Sequence, residues 1–110
     1  MTVTQMVDAL DLTIAHMGGQ DAEITGAMAA DLISDVLANA SPGEVWITVQ
    51  THKNVAAVAN AQGLAAIIVT AGREPSADLL ALADAEKVNV LCSAEETFLV
   101  AGRLYALGVR

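Results

Sequence analysis

Aromatic residues are scarce in this 110-residue chain, which has one Trp, one Tyr and one Phe. Hydrophobic residues make up 55% of the sequence, so the interior must be filled by Ala, Val, Leu and Ile. This composition favours closely packed helices and sheet, and we expect any cavity to be small. A chain of this length buries one compact core and is too short for two ordinary domains, so residues 1–110 are predicted to form a single domain.

Basic residues are also few. Five Lys and Arg residues stand against thirteen Asp and Glu, which gives a formal net charge of -8. A field of this sign repels nucleic-acid phosphates and anionic lipid. Neither a nucleic acid nor a membrane is therefore an expected partner.

Cysteine is limited to Cys92, which excludes a disulfide framework and a thiolate metal cage. The two histidines, His16 and His52, have no further ligand at metal-binding spacing, so no metal or other cofactor is predicted. No apolar stretch approaches the roughly 18 residues of a membrane span. The first residues lack the basic and apolar segments of a secretory signal, and we expect a soluble cytoplasmic protein.

Hydrophobic periodicity and capping residues predict five helices and five strands. The helices begin near Thr2 or Thr4, Asp31, residues 50–54, Ser76 and Ser93. The strands cover residues 12–17, 23–30, 45–50, 64–69 and 88–92.

The second half of the chain predicts parallel strands. From Val45 onward, strands and helices alternate with short connections, the pattern of right-handed crossovers. Residues 64–69 are almost continuously apolar, as expected for a strand covered on both faces. The first two strands need not be parallel. We expect an α/β fold, a three-layer α/β/α sandwich with a mostly parallel sheet of about five strands.

Polar residues gather where the strands of the second half end. Because parallel strands end at one edge, the loops at 50–54, 70–74 and 93–96 should meet there. Their neutral donors and acceptors, together with the following helix N-termini, suit a small anionic or nucleotide-like ligand. The predicted ligand-binding residues of this edge are Thr48, Gln50, Thr51, His52, Asn54, Thr70 and Ser93.

These residues also have a purely structural interpretation. Thr51 and Asn54 can cap a helix, and Ser93 with Glu96 fits a capping box. Thr70 can simply turn the chain. Their convergence on one edge is what favours a binding site.

Asp31, Ser34 and Asp35 form a second candidate group. The spacing of four residues places both carboxylates on one helical face, where the helix dipole stabilises them without any function. No base accompanies Ser34, so nucleophilic catalysis is not supported. The glycines form neither a phosphate loop nor a dinucleotide fingerprint.

Several segments resemble the DRTGG domain family, namely Ile24-Thr25-Gly26, the block 31–36, the run 46–59 from Trp46 to Ala59, and the C-terminal 101–108. The resemblance covers nearly the whole chain and looks like a stand-alone version of a module that relatives fuse to CBS-domain regulators and phosphotransacetylases. It implies a fold similar to the N-terminal domain of HPr kinase/phosphorylase. The Arg that gives the family its name is absent, because Ala22 and Glu23 follow Asp21.

The same resemblance implies a regulatory or ligand-sensing module linked to hydrogenase, redox or signalling systems. The blocks 31–35 and 50–54 match the family better than residues 21–23, where the Arg is missing. Asp31, Ser34 and Asp35 therefore join the predicted ligand-binding residues.

Three functions remain open from the sequence. The first is a non-enzymatic regulatory domain that binds a small ligand or a protein partner and forms a homodimer, because so small and apolar a domain is expected to cover exposed surface by association. The second is a small metabolite enzyme using His52 or the pair Asp31 and Asp35. The third is a protein-interaction scaffold without a ligand.

Overall fold

Five helices and five strands build the fold, and the computed structural model describes every residue from Met1 to Arg110. The helices are α1 (Val3–Leu10), α2 (Ile33–Asn39), α3 (Asn54–Gln62), α4 (Ala77–Glu86) and α5 (Thr97–Ala106). The strands are β1 (Thr13–Met17), β2 (Gly26–Ala29), β3 (Glu44–Thr48), β4 (Ala66–Val69) and β5 (Asn89–Cys92). None of the helices is both long and apolar enough to cross a membrane.

The strands form a single mixed sheet in the order β1-β5-β4-β3-β2. Strands β2, β3, β4 and β5 are parallel, and β1 joins the far side of β5 in the antiparallel sense. The predicted mostly parallel sheet of about five strands is confirmed. The two strands of the N-terminal part lie at opposite edges of the sheet.

Helices cover both faces of the sheet, which confirms the predicted three-layer sandwich. Residues that alternate along each strand point to opposite faces. Val45 and Ile47 of β3 therefore pack in a core with α1 and α5. Trp46, between them, packs in a second core with α2, α3 and α4. Small side chains fill much of both cores, as the scarcity of aromatic residues predicts.

The extended run expected at 23–30 is shorter in the structure, where only Gly26–Ala29 form a strand. The residues before it bond elsewhere. Ile24 N donates to Met1 O at 2.8 Å, and the Thr25 hydroxyl donates to Pro42 O at 3.0 Å. These contacts hold residues 23–25 against the N-terminus and the loop before β3, away from the β2 ladder.

Helix α2 begins at Ile33, with Leu32 at its N-cap and no side-chain cap. The prediction that Asp31 heads this helix and shares a face with Asp35 is wrong. Asp31 lies in the loop before α2, where its carboxylate bonds to β3. The predicted N-cap of α1 is confirmed, because Thr2 and Gln5 form a complete capping box.

Gly63 ends α3 with a positive φ of 67°, as its position after the last helical residue predicts. Only a left-handed residue there lets the chain turn directly into residues 64–65 before β4. This turn helps set the first residue of β4, Ala66, and therefore the position of its last residue, Val69.

Candidate functional site

Strands β2 to β5 all end at one edge of the sheet, which we call the carboxyl edge. The predicted convergence of the three loops after β3, β4 and β5 follows from this parallel pairing and is confirmed. A fourth loop, residues 30–32 after β2, joins them. Helices α2, α3, α4 and α5 all begin at this edge.

Asp31 ties the loop after β2 to the end of β3. Its carboxylate accepts hydrogen bonds from the Thr48 hydroxyl at 3.0 Å and from Val49 N at 2.9 Å. Gln50 closes the same group, because its side-chain amide donates to Asp31 O at 2.9 Å and its backbone N donates to the Thr48 hydroxyl at 3.1 Å. Three predicted site residues, Asp31, Thr48 and Gln50, are therefore joined in one hydrogen-bonded network.

Thr70 links the next two strand ends. Its buried hydroxyl lies 3.3 Å from Thr48 O and 2.7 Å from the Thr97 hydroxyl. A hydroxyl has one proton, so Thr70 donates to the Thr48 carbonyl and accepts from Thr97. This chain of bonds joins β3, β4 and the start of α5.

Backbone bonds close the gap between the loops after β4 and β5. Ala71 N donates to Glu95 O at 2.8 Å, and Gly72 N donates to Ser93 O at 3.0 Å. These loops lead to helices on opposite faces of the sheet, the arrangement that opens a crevice in many α/β proteins. Here the crevice is bridged by main-chain bonds.

The capping box predicted for Ser93 and Glu96 is wrong. Helix α5 begins at Thr97 with Glu96 at its N-cap and no side-chain cap. The Ser93 hydroxyl instead accepts a hydrogen bond from Glu95 N at 3.0 Å, which stabilises a turn before the helix.

An open cavity of about 430 Å³ lies where α3 and α4 begin, and every residue around it is polar or charged. Its lining is His52, Lys53, Asn54, Ser76 and Asp78. Ser76 N donates to Thr51 O at 3.2 Å, which fixes the two helix starts relative to each other. His52, Lys53 and Asn54 are all solvent-exposed.

The two helix N-termini beside this cavity differ. Ser76 caps α4 by accepting a hydrogen bond from Leu79 N, whereas no side chain caps α3, whose N-cap is Lys53. The predicted capping roles of Thr51 and Asn54 are therefore wrong. Backbone carbonyls accept from the first turn of α3 instead, because Val55 N donates to His52 O at 3.1 Å and Ala56 N donates to Lys53 O at 3.0 Å. The Lys53 side chain lies at this positive end of the helix dipole.

Ser34 and Asp35 stand apart from these contacts. Both are exposed on α2, and the Asp35 carboxylate accepts a hydrogen bond from the Asn39 side chain at 2.7 Å. Asp31 bonds to β3 while Asp35 bonds within its own helix. The structure does not bring the two carboxylates into one cleft.

Cys92 borders a second opening, of about 260 Å³, beside the loops after β4 and β5. Arg73, Glu74 and Ser93 also line it. Burial raises the pKa of the Cys92 thiol, and the negative charge of Glu74 raises it further. The thiol is therefore kept protonated and weakly reactive. No group of three or more His, Cys, Asp or Glu side chains in the chain is arranged to hold a metal ion.

Sequence reasoning missed the polar partners that complete the carboxyl edge. Lys53 and Asp78 line the largest opening there, and Thr97 completes the hydroxyl chain to Thr70. A signal for Lys53 was present. It and Arg73 are the two basic residues in loops predicted at this edge, in a chain with only five.

The opposite edge of the sheet has a smaller recess of about 220 Å³ among Gly19, Gly43, Gly63, Lys87 and Asn89. However, the buried Asn89 side chain uses its groups within the fold, accepting from Gly19 N and donating to the carbonyls of Gln20 and Ala65. We assign this recess a structural role.

A small α/β/α domain with its polar groups at the carboxyl edge of a mostly parallel sheet is an architecture that hosts many functions, so the fold by itself identifies no one chemistry. The sequence matches the model of the DRTGG domain over residues 5–107. This chain therefore belongs to the DRTGG domain family.

The fold is also similar to a solved structure from Clostridium perfringens, the CBS and DRTGG domains of the regulatory region of a pyrophosphatase in complex with its activator, diadenosine tetraphosphate. The TM-score is 0.78 at 16% sequence identity, and the match covers 94% of this chain and 45% of that one. The present chain thus spans less than half of the regulatory region. The comparison with curated proteins gives no match.

Proposed function

We propose that residues 1–110 form one cytoplasmic, non-catalytic regulatory domain that binds a small anionic or nucleotide-like ligand at its carboxyl edge. The single observation that carries this is the open polar cavity beside the uncapped start of α3, in a member of the DRTGG family. The related regulatory region has a nucleotide activator, which makes a nucleotide the first ligand class to test.

Charge supports an anionic ligand at this position. The chain carries a net charge of -8, yet Lys53 and Arg73 both lie in loops of the carboxyl edge and neither forms an ion pair. Arg103, by contrast, is paired with Glu95 at 2.9 Å. An unpaired Lys53 ammonium at a helix N-terminus attracts phosphate or carboxylate, and Arg73 adds positive charge to the same edge of the sheet. His52 and Asn54 add donors on the same rim.

We assign different roles to the predicted residues. His52, Asn54 and the backbone at Thr51 would contact the ligand. Asp31, Thr48, Gln50 and Thr70 would hold the loops in place through the bonds described above, and Ser93 would border the second opening. Ser34 and Asp35 are exposed α2 residues within the family-like block 31–36 and would contact only a ligand that extends past Asp31.

Ligand binding can be measured by thermal shift with diadenosine tetraphosphate, ATP, AMP, pyrophosphate, a nucleotide sugar and an acyl phosphate. A ligand that binds only the folded chain raises its stability by RT ln(1 + [L]/Kd). We expect at least one phosphate-containing compound to raise Tm. Lys53→Gln should weaken that response about tenfold in apparent Kd, as expected for loss of a charge next to a bound anion.

Lys87→Gln is the matched control, since Lys87 lies at the opposite edge of the sheet. Equal effects of the two substitutions would refute the carboxyl edge as the site. A flat response of the wild-type chain to all six compounds would refute the ligand and favour the scaffold.

The enzyme hypothesis makes a different prediction for His52. An imidazole that acts in catalysis must lie in reach of a substrate and a partner group, whereas His52 is exposed on an open rim with no hydrogen-bonded side-chain partner. An NMR titration of His52 like that of a free imidazole, with His52→Ala retaining ligand binding, would support the regulatory function.

Self-association is part of this proposal. The exposed large apolar side chains are numerous for so small a domain, and burying them between two copies would remove them from water. Light scattering after size exclusion, at tens of micromolar protein, should give the mass of a homodimer.

A further inference from the structure

We infer that the two copies of the proposed homodimer join through helix α5, which packs antiparallel against α5 of the second copy across a two-fold axis at Gly102. The inference rests on the self-association proposed above and adds the surface that produces it. Helix α5 packs with α1 on one face of the sheet, whereas α3 and α4, which begin at the polar cavity, pack on the other. The interface therefore leaves the proposed ligand site free.

Helix α5 is apolar on both of its sides. Its one charged residue is Arg103, which is paired with Glu95. Val100 and Leu104 are buried in the core beneath the helix. The solvent side, which we call the outer stripe, consists of Phe98, Leu99, Gly102, Tyr105 and Ala106, all of them exposed. Because a helix that is hydrophobic all round belongs in a buried position, we expect the outer stripe to be covered.

The aromatic residues point to the same surface. Trp46 is buried, and the two other aromatic residues of the chain, Phe98 and Tyr105, both lie in the outer stripe. Phe98 is 83% exposed and Tyr105 62% exposed. The Arg110 guanidinium stacks on the Tyr105 ring, 3.8 Å from its centroid. Aromatic and Arg side chains are the ones that most often carry the binding energy of a protein interface.

Two largely apolar openings flank α5 and widen this surface. One, of about 210 Å³, lies between α5 and β2 and is lined in part by Ala27 and Ala29. The other, of about 350 Å³, lies between α5 and α1 and is lined in part by Ala9 and Leu10. A helix laid along α5 would therefore also bury side chains of its two neighbours.

The outer stripe is complementary to a second copy of itself. Its residues occupy positions 98, 99, 102, 105 and 106, which are symmetric about Gly102. Antiparallel pairing across a two-fold axis at Gly102 places every residue of the stripe opposite another residue of the stripe, as an interface between identical surfaces requires. Phe98 then lies opposite Ala106 of the second copy, so that a large side chain meets a small one.

Gly102 has no role within the single chain that requires a glycine. It lies inside α5 without a positive φ, and a Cβ there would meet nothing within 4 Å. Glycine inside a helix lowers stability relative to alanine. At the axis between two antiparallel helices, however, a missing side chain lets the two backbones approach closely.

Charge also selects this arrangement. Residues 97–110 contain two Arg and no acidic residue, although the chain has thirteen Asp and Glu in all. A contact through this segment therefore adds no acidic side chain to the repulsion between two chains of charge -8. Antiparallel pairing brings Glu96, which forms no ion pair, to the end of the second α5, where Arg110 lies on Tyr105. Parallel pairing would instead bring Glu96 to Glu96.

The first test compares two exposed helix faces. Gly102→Gln places a polar side chain at the axis, and Ala81→Gln places the same side chain on α4, on the opposite face of the sheet. We expect sedimentation equilibrium to show a dimer for the wild type and for Ala81→Gln. For Gly102→Gln and for Phe98→Ala the dissociation constant of the dimer should rise at least about tenfold, as for loss of a central interface contact.

Gly102→Ala separates an interface role from a folding role. Alanine favours a helix over glycine, so the Tm of the monomer, measured at low protein concentration, should rise. The added methyl group lies at the axis, so the dimer should dissociate more readily than the wild type. A higher Tm with an unchanged dissociation constant would refute the axis at Gly102, and a lower Tm would show that the glycine serves the single chain.

Cross-linking in a Cys92→Ser background locates the axis directly. Gly102→Cys should form a covalent dimer on mild oxidation, because a disulfide needs Cα atoms about 4.4–6.8 Å apart and only residues at the axis face their own copies. Ala81→Cys should remain uncross-linked under the same conditions.

The outcomes separate the two proposals. A wild-type chain that stays monomeric refutes both the homodimer and its interface. A wild-type dimer that tolerates Gly102→Gln and Phe98→Ala, and does not cross-link through Gly102→Cys, refutes only the α5 interface. Binding of another protein to the outer stripe of a monomeric chain would also refute the inference, since the occupant would then not be a second copy.

Discussion

Asp31, in the loop after β2, accepts a hydrogen bond at 3.0 Å from the buried hydroxyl of Thr48, the last residue of β3. The two residues are seventeen positions apart and lie on neighbouring strand ends. Their contact holds two loops of the carboxyl edge together, so a change at Asp31 should reach Val49 and Gln50, which bond to the same group.

Replacing Asp31 should therefore destabilise the fold. Asp31→Ala leaves the Thr48 hydroxyl and Val49 N without an acceptor. Thr48 is buried, and an unsatisfied buried hydroxyl costs about 1–3 kcal/mol, whereas water can replace the acceptor of the exposed Val49 N. Urea denaturation followed by Trp46 fluorescence measures this. The control is Asp35→Ala, which removes an exposed carboxylate bonded only within α2 and should change stability by less than about 0.5 kcal/mol. Equal losses of unfolding free energy in the two variants would mean that the Asp31–Thr48 hydrogen bond contributes no more to stability than the Asp35 bond within α2.

The Thr70 and Thr97 hydroxyls should prove energetically coupled. Thr70→Val removes the hydroxyl between the Thr48 carbonyl and Thr97, and Thr97→Val removes the donor at the other side. Each should cost about 1 kcal/mol, and the double variant should cost less than the sum because the shared bond is lost only once. A double-mutant cycle in urea measures the coupling. Strict additivity would show that the two hydroxyls bond independently.

The sequence was sufficient for the layout of the carboxyl edge. The apolar run before Thr70 predicted a strand buried on both faces, and the short connections after Val45 allowed only parallel strands. Both features are local, and the direction of each strand follows from its connection to the next. The common edge therefore followed from the sequence alone.

The roles of single polar residues at that edge could not be predicted. Asp31 and Ser93 carry the side chains of helix caps, yet Asp31 bonds to β3 and Ser93 to its own turn. A cap depends on the φ and ψ angles just before the helix, whereas the contact to Thr48 depends on packing between distant segments. Sequence patterns report the residue types but not which of the competing hydrogen-bond donors lies closest to each side chain in the fold.

Cys92 should react slowly with thiol reagents. Burial and the charge of Glu74 raise its pKa, so at pH 8 less thiolate is present than in an unfolded chain, where the pKa is about 8.5. Glu74→Gln should lower the pKa and speed alkylation by iodoacetamide, measured from pH 7 to 10. Glu86→Gln, at the opposite edge, should leave the rate profile unchanged.

The same pKa has a consequence for stability. A thiol whose pKa is higher in the folded state keeps its proton better when folded, so the contribution is fully present below the unfolded pKa. It decreases as the pH rises above that value and the unfolded chain ionises first. The Cys92→Ser variant should therefore lose less stability between pH 8 and 10 than the wild type does. The opposite ordering would contradict the assigned direction.

Replacing the Asn89 amide with a carboxylate should destabilise the fold at neutral pH. Its side chain is buried, accepting a hydrogen bond from Gly19 N at 2.7 Å and donating to the carbonyls of Gln20 and Ala65 at 3.0 and 3.1 Å. Asn89→Asp keeps the acceptor but sets a negative charge against two carbonyl oxygens, so the new carboxyl group should have a raised pKa. The variant should be most stable below pH 4 and lose stability as the pH rises to 7, because the unfolded chain releases the proton first.

Asn89→Ala, which loses all three bonds without adding a charge, should be destabilised without this pH dependence. Thermal unfolding of both variants at pH 4 and pH 7 checks the comparison, and parallel pH profiles would show that the Asn89 amide does not face the two carbonyls.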